Sequence, residues 1–107
     1  MRISETHGEI PDLTLQELSE LVAPVAAMSN ITGVSLFGSR ARGDYDLDSD
    51  YDFLIDVNDD YRFRDYLRFK DTMSDLLKCD VDVISRRSLK GDRFSQDVLR
   101  EEIRIYG

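Results

Sequence analysis

Several kinds of chemistry are removed by what this chain lacks. Cys79 is the only cysteine, so no intramolecular disulfide can form. No histidine lies near it to activate the thiol, which therefore reads as a packing residue and not a nucleophile. His7 is the only histidine and falls in a polar leader, where it is expected to be exposed. The longest apolar run, from Leu21 to Met28, is broken by Pro24 and is far too short to cross a bilayer. The first ten residues, MRISETHGEI, lack the apolar core of a signal peptide. A reducing, cytoplasmic setting without a membrane role is expected. No stretch rich in Gly, Ser or Pro marks a boundary, so the 107 residues are expected to form one domain, with residues 1–12 as a leader.

Positive charge is also in deficit. Lys and Arg number 14 against 22 Asp and Glu, a formal net charge of -8 that repels polyanions. DNA, RNA and anionic membranes are therefore poor partners. Two basic clusters, Arg62, Arg64, Arg68 and Lys70, and Arg86, Arg87, Lys90 and Arg93, read mostly as solvated surface, though they leave room for a locally attracted nucleotide.

Helical and strand periodicities alternate along the remainder. Thr14 and Glu17 form a capping-box pattern ahead of Leu15, Leu18, Leu21, Val22 and Val25, which predicts a helix to about Met28, with Pro24 placed to bend it. Val34 to Phe37 reads as a buried strand ending at Gly38. In the next strand, Tyr51, Phe53, Ile55 and Val57 share one side, and Asp50, Asp52, Leu54 and Asp56 the other. A second helix is predicted between Tyr61 and Lys78, with Phe63, Tyr66, Leu67, Met73, Leu76 and Leu77 near one face. Val81 to Ile84 is a third strand. A weaker helix follows from about Phe94 to Glu101 with Val98 and Leu99 inward, and Ile103 and Ile105 close the chain as a short strand. This alternation predicts a layered α/β domain.

The chemistry concentrates in Gly38-Ser39-Arg40-Ala41-Arg42-Gly43 and, after an acidic spacer, Ser49-Asp50-Tyr51-Asp52. A strand entering a Gly-Ser turn at a helix start leaves backbone N–H groups unpaired, and such groups attract phosphate oxygens. Gly38 permits close approach, Ser39 adds a hydroxyl, and Arg42 adds a guanidinium fork. Alone, a Gly-Ser turn is a weak signal. Asp50 and Asp52 strengthen it, because residues i and i+2 of a strand share a face with Cα atoms about 6.5 Å apart. Two carboxylates on a half-buried face repel each other unless a cation intervenes, and oxygen-only ligands favour Mg²⁺ or Mn²⁺. Asp82 interrupts the apolar Val81-Asp82-Val83-Ile84. It either faces solvent on an edge strand or, if this strand neighbours the previous one, joins Asp50 and Asp52 around a pair of ions. The alternating Asp44, Asp46, Asp48, Asp50 and Asp52 mimic the start of a calcium loop, but Ser49 and Ile55 stand where glycine and glutamate are needed.

GSRARG, SDYDFLID and VDVIS together resemble the three motifs of the minimal nucleotidyltransferase branch of the DNA polymerase beta-like superfamily. The resemblance spans about residues 34 to 85 and implies a single-domain α/β fold, a small mixed sheet of about four strands packed with helices. It implies that Gly38 and Ser39, with Arg42 and Ser49 as further contacts, bind the phosphates of a nucleoside triphosphate, most simply ATP. It also implies that Asp50 and Asp52 hold two Mg²⁺ ions and that Asp82 completes the site near the attacking hydroxyl. Relatives that modify aminoglycosides carry a second, helical domain. Single-domain members resemble antitoxins paired with HEPN-domain ribonuclease toxins, which implies transfer of AMP to a toxin tyrosine. Neutralisation by binding alone, and modification of a small antibiotic-like substrate, are the alternatives.

Overall fold

A computed structural model of the protein describes residues 13–107. The expected leader and His7 lie outside the described residues. Helix α1, Leu15–Ala27, starts at the predicted capping box: the Glu17 N–H donates to Thr14 Oγ1 at 3.0 Å and the Thr14 N–H to Glu17 Oε1 at 2.9 Å. Pro24 removes one intrahelical hydrogen bond without ending the helix. Thr14→Ala should destabilise the protein by about 1 kcal/mol in chemical denaturation and Thr14→Ser by only a few tenths, since the serine hydroxyl can make the same bond.

Strand β1, Ile31–Phe37, runs into α2, the single turn Ser39–Arg42, followed by β2, Tyr51–Val57. Helix α3, Phe63–Leu77, leads to β3, Val81–Ser85, then a 3₁₀ turn at Arg86–Ser88, helix α4, Arg93–Glu101, and β4, Ile103–Tyr106. The strands form one mixed sheet in the order β3-β2-β1-β4. β1 pairs antiparallel with β2 and β4, while β2 and β3 are parallel neighbours. Their register sets Asp52 directly beside Asp82.

Alternation along β2 divides the interior into two layers. Tyr51, Phe53 and Ile55 join Leu18 and Val22 of α1 and Phe69, Met73 and Leu77 of α3 in the larger core. Leu54 points to the opposite face and meets Phe37 and Val98, with Ile84 and Leu89 packed around them. Helix α4 thus covers the face that carries Asp52 and Asp82.

Two helix faces differ from the periodicity reading. In α3 the buried stripe is Asp65, Phe69, Met73 and Leu77, whereas Phe63, Leu67 and Leu76 are exposed. The i, i+4 row through Phe69 wins because it meets Phe53 edge to face at 5.8 Å between ring centres. Asp65 can join that row because its carboxylate accepts from the Arg62 N–H at 2.9 Å and from Asn30 Nδ2 at 3.2 Å. In α4, Val98 is buried as expected but Leu99 faces outward. Cys79 is half-buried against the larger core, and burial pushes its thiol pKa up, away from the reactive thiolate.

Candidate active site

Gly38 ends β1 with φ 77° and ψ -158°, a conformation open essentially to glycine alone. A Cβ built there would lie 2.2 Å from Asp52 Oδ2. The glycine therefore serves the acid as well as the turn: its missing side chain is the space that the Asp52 carboxylate occupies. In α2 the Ala41 and Arg42 N–H groups donate to the Gly38 carbonyl. The Ser39 and Arg40 N–H groups come before the first intrahelical bond and have no acceptor within the helix.

Asp52 is the electrostatic centre. Burial, then the negative charges of Asp82 and Asp50, push its carboxyl up to about 6 from an ordinary value near 3.8. The side chain is thus held where its charge is resisted, and a cation would relieve that. Asp82 lies on the edge strand and is largely exposed, so the solvent-facing description holds for it at the same time as its position next to Asp52.

A cavity of about 600 Å³ opens over this face. One part of its lining comprises Gly38, Ser39, Arg42, Asp52 and Asp82. Arg42 reaches across to α4, with Nη1 3.1 Å from Glu101 Oε1, while its Nε lies 3.2 Å from Asp44. Asp50 and Ser49 are not part of the lining. β2 begins at Tyr51, so the same-face rule linking Asp50 to Asp52 lacks a regular strand at Asp50, although its charge still reaches Asp52. Among the described residues no three His, Cys, Asp or Glu side chains form a group arranged to hold a metal ion. Of the three expected carboxylates, Asp52 and Asp82 border the cavity. Two adjacent carboxylates beside an open cavity still fit Mg²⁺, which commonly takes only a few protein ligands and completes its shell with substrate phosphates and water. The Ser49 hydroxyl is already engaged, accepting from the Asp46 N–H at 3.0 Å and closing a turn in the acidic spacer.

Sequence reasoning missed Arg40. Its guanidinium lies over the rings of Tyr45 and Tyr51, at 4.7 and 4.1 Å from the ring centres, and Nε donates to the Ser49 carbonyl at 3.1 Å. This clamp ties the spacer to the start of β2 and so fixes the separation between turn and acids. The α4 wall was also missed; Phe94, Val98 and Glu101, spaced i, i+4, i+7, were the available signal. Arg86, expected among solvated charges, bonds Asp56 at 2.7 Å and both oxygens of Glu102 at 2.8 and 2.6 Å. Its fork joins the end of β2 to the approach to β4.

A mixed four-stranded sheet with a glycine turn and an acid pair at one end is the arrangement expected of a nucleotidyltransferase-type domain. Residues 20–107 match the family described as Polymerase beta, Nucleotidyltransferase, and the chain belongs to that family. It is 27% identical over 97 residues to the protein adenylyltransferase MntA of Thermococcus cleftensis, spanning 87% of this chain and 97% of that relative. A solved structure provisionally described as a minimal nucleotidyltransferase superimposes with a TM-score of 0.72 at 34% identity, covering 87% of this chain and 97% of the other. A chain from a complex of the tri-AMPylated Shewanella oneidensis HEPN toxin with its MNT antitoxin shares the fold, with a TM-score of 0.65 at 18% identity and coverage of 88% and 73%. No helix among the described residues is long and apolar enough to cross a membrane.

Proposed function

We propose that this protein is an Mg²⁺-dependent adenylyltransferase that moves AMP from ATP to a tyrosine hydroxyl of a HEPN ribonuclease toxin, and thereby acts as its antitoxin. The observation that supports this most directly is Asp52, set against Gly38 and in register with Asp82, with its charge resisted until a cation arrives. Asp52 and Asp82, with Asp50 alongside, would hold the metal. When bound, Mg²⁺ neutralises the phosphates and stabilises the charge that develops on the departing pyrophosphate.

The remaining work falls to the chain's own groups. Gly38 and the first N–H groups of α2 cradle phosphate oxygens, Ser39 Oγ adds a donor, and Arg42 exchanges its carboxylate partners for phosphate. The acceptor oxygen attacks Pα in line with the leaving oxygen, the Pα–O bond to the β-phosphate breaks, and pyrophosphate departs. Asp82, on the open edge of the sheet, takes the proton from the incoming hydroxyl at a carboxylate oxygen. Positioning and charge stabilisation suffice, with no covalent enzyme intermediate. The MntA relative and the AMPylated toxin complex support the choice of AMP and of a protein acceptor.

Intact-mass measurement tests this. The toxin incubated with this protein, ATP and Mg²⁺ should gain AMP units, and none should appear with Asp52→Ala. A toxin that stays unmodified yet is inhibited equally by the parent and by Asp52→Ala would replace catalysis with neutralisation by binding.

A further inference from the structure

The cavity lining is divided in a way that the phosphate and metal chemistry leaves unexplained. Beside the polar sector lies an apolar one made by Phe37, Ile84, Phe94 and Val98. Phe37 and Val98 are buried members of the second core and Ile84 packs against it. Phe94, in the first turn of α4, is different: it remains 53% exposed, its ring meeting Phe37 edge to face at 6.4 Å and 80°. A half-exposed phenyl contributes little to the fold, and its uncovered surface borders the cavity.

We infer that Phe94 is the platform on which the nucleobase of the bound nucleotide stacks. The inference rests on the nucleotidyltransferase reading above and deepens it. A nucleoside triphosphate has the same two-part character as the cavity, an anionic chain at one end and a flat, weakly hydrated ring at the other. The lining carries carboxylates at Asp52, Asp82, Asp97 and Glu101 and one guanidinium, Arg42, already paired with two acids. Phosphate binding there depends on cations, so contact with the uncharged base is an independent source of affinity. Phe37 immediately precedes Gly38, which places the aromatic pair next to the phosphate turn. Stacking reads ring area more than edge groups, so purine nucleotides should bind more tightly than pyrimidine nucleotides. Tyr66, from α3, also borders the cavity, but its ring is already stacked on Phe63 at 5.7 Å.

The test is equilibrium binding of α,β-methylene ATP with Mg²⁺, compared with inorganic tripolyphosphate with Mg²⁺. Phe94→Ala should weaken the ATP analogue by about 10–100-fold, following the usual worth of one base–aromatic stack. Phe94→Trp should stay close to the parent, tripolyphosphate should bind parent and Phe94→Ala alike, and the melting temperature should barely change. Equal losses for both probes, an unchanged affinity for the analogue, or a loss seen in Tyr66→Ala instead would each overturn the assignment. A parent that binds neither probe would overturn the nucleotide reading and this inference with it, an outcome distinct from a parent that binds both and ignores the loss of Phe94.

Discussion

Asp52→Asn is expected to abolish nucleotidyl transfer, by on the order of a thousandfold or more, and at the same time to make the metal-free protein more stable. Both effects have one cause. The Asp52 pKa rises to about 6 in the folded state because burial and the charges of Asp82 and Asp50 oppose ionisation. The folded-state pKa exceeds the unfolded one, so the group's favourable contribution is full below about pH 4 and is lost as pH climbs through 6. At pH 7 the ionised carboxylate works against folding, by about 1 kcal/mol once solvent screening of this half-exposed group is allowed for. An asparagine of the same shape removes that penalty. In a domain of this size the melting temperature in EDTA should rise by about 4–8 °C at pH 7, and the gain should vanish at pH 4. Millimolar Mg²⁺ should reverse the order, raising the parent's melting temperature and leaving the variant's unchanged. A variant that melts like the parent in EDTA and responds alike to Mg²⁺ would show that the ion does not sit at Asp52.

Gly38→Ala should damage the fold and the site together. The backbone at φ 77° and ψ -158° excludes an L side chain at a cost of about 1–3 kcal/mol. The new Cβ would also fall 2.2 Å from Asp52 Oδ2, so the carboxylate must leave its position or the turn must shift. Destabilisation of about 2–4 kcal/mol in urea and loss of transfer activity together are the expected result. Gly43→Ala is the control. Gly43 also has a positive φ, 91°, but its Cβ would meet nothing within 4 Å, so it should lose stability through backbone strain while keeping measurable transfer. Circular dichroism with the transfer assay separates the two.

Much of this was legible in the sequence because it depends on local rules. The capping box at Thr14, the two sides of β2, and the strand-turn sequence into Gly38 follow from backbone geometry within a few residues. That Asp82 falls opposite Asp52 needed one tertiary fact, the pairing of β2 with β3, which a strand pattern leaves open. Asp50 marks where the local rule ran out, since alternation applies only inside a strand and β2 begins one residue later. Phe63 and Leu67 satisfied helical spacing yet lie on the outer side of α3, because the burial of Phe69 against Phe53 decides the rotation of the helix and spacing alone does not. Arg40 was illegible for another reason, since its meaning lies in Tyr45 and Tyr51, brought to it only by the completed fold; for Phe94 the helical spacing with Val98 was readable, but its contact with Phe37 was not.

Asp82 sits on the outermost strand, and this bears on the size of what can be modified. Among the described residues no strand lies beyond β3, so on the reading proposed above a bulky target can present its hydroxyl from that side of the sheet.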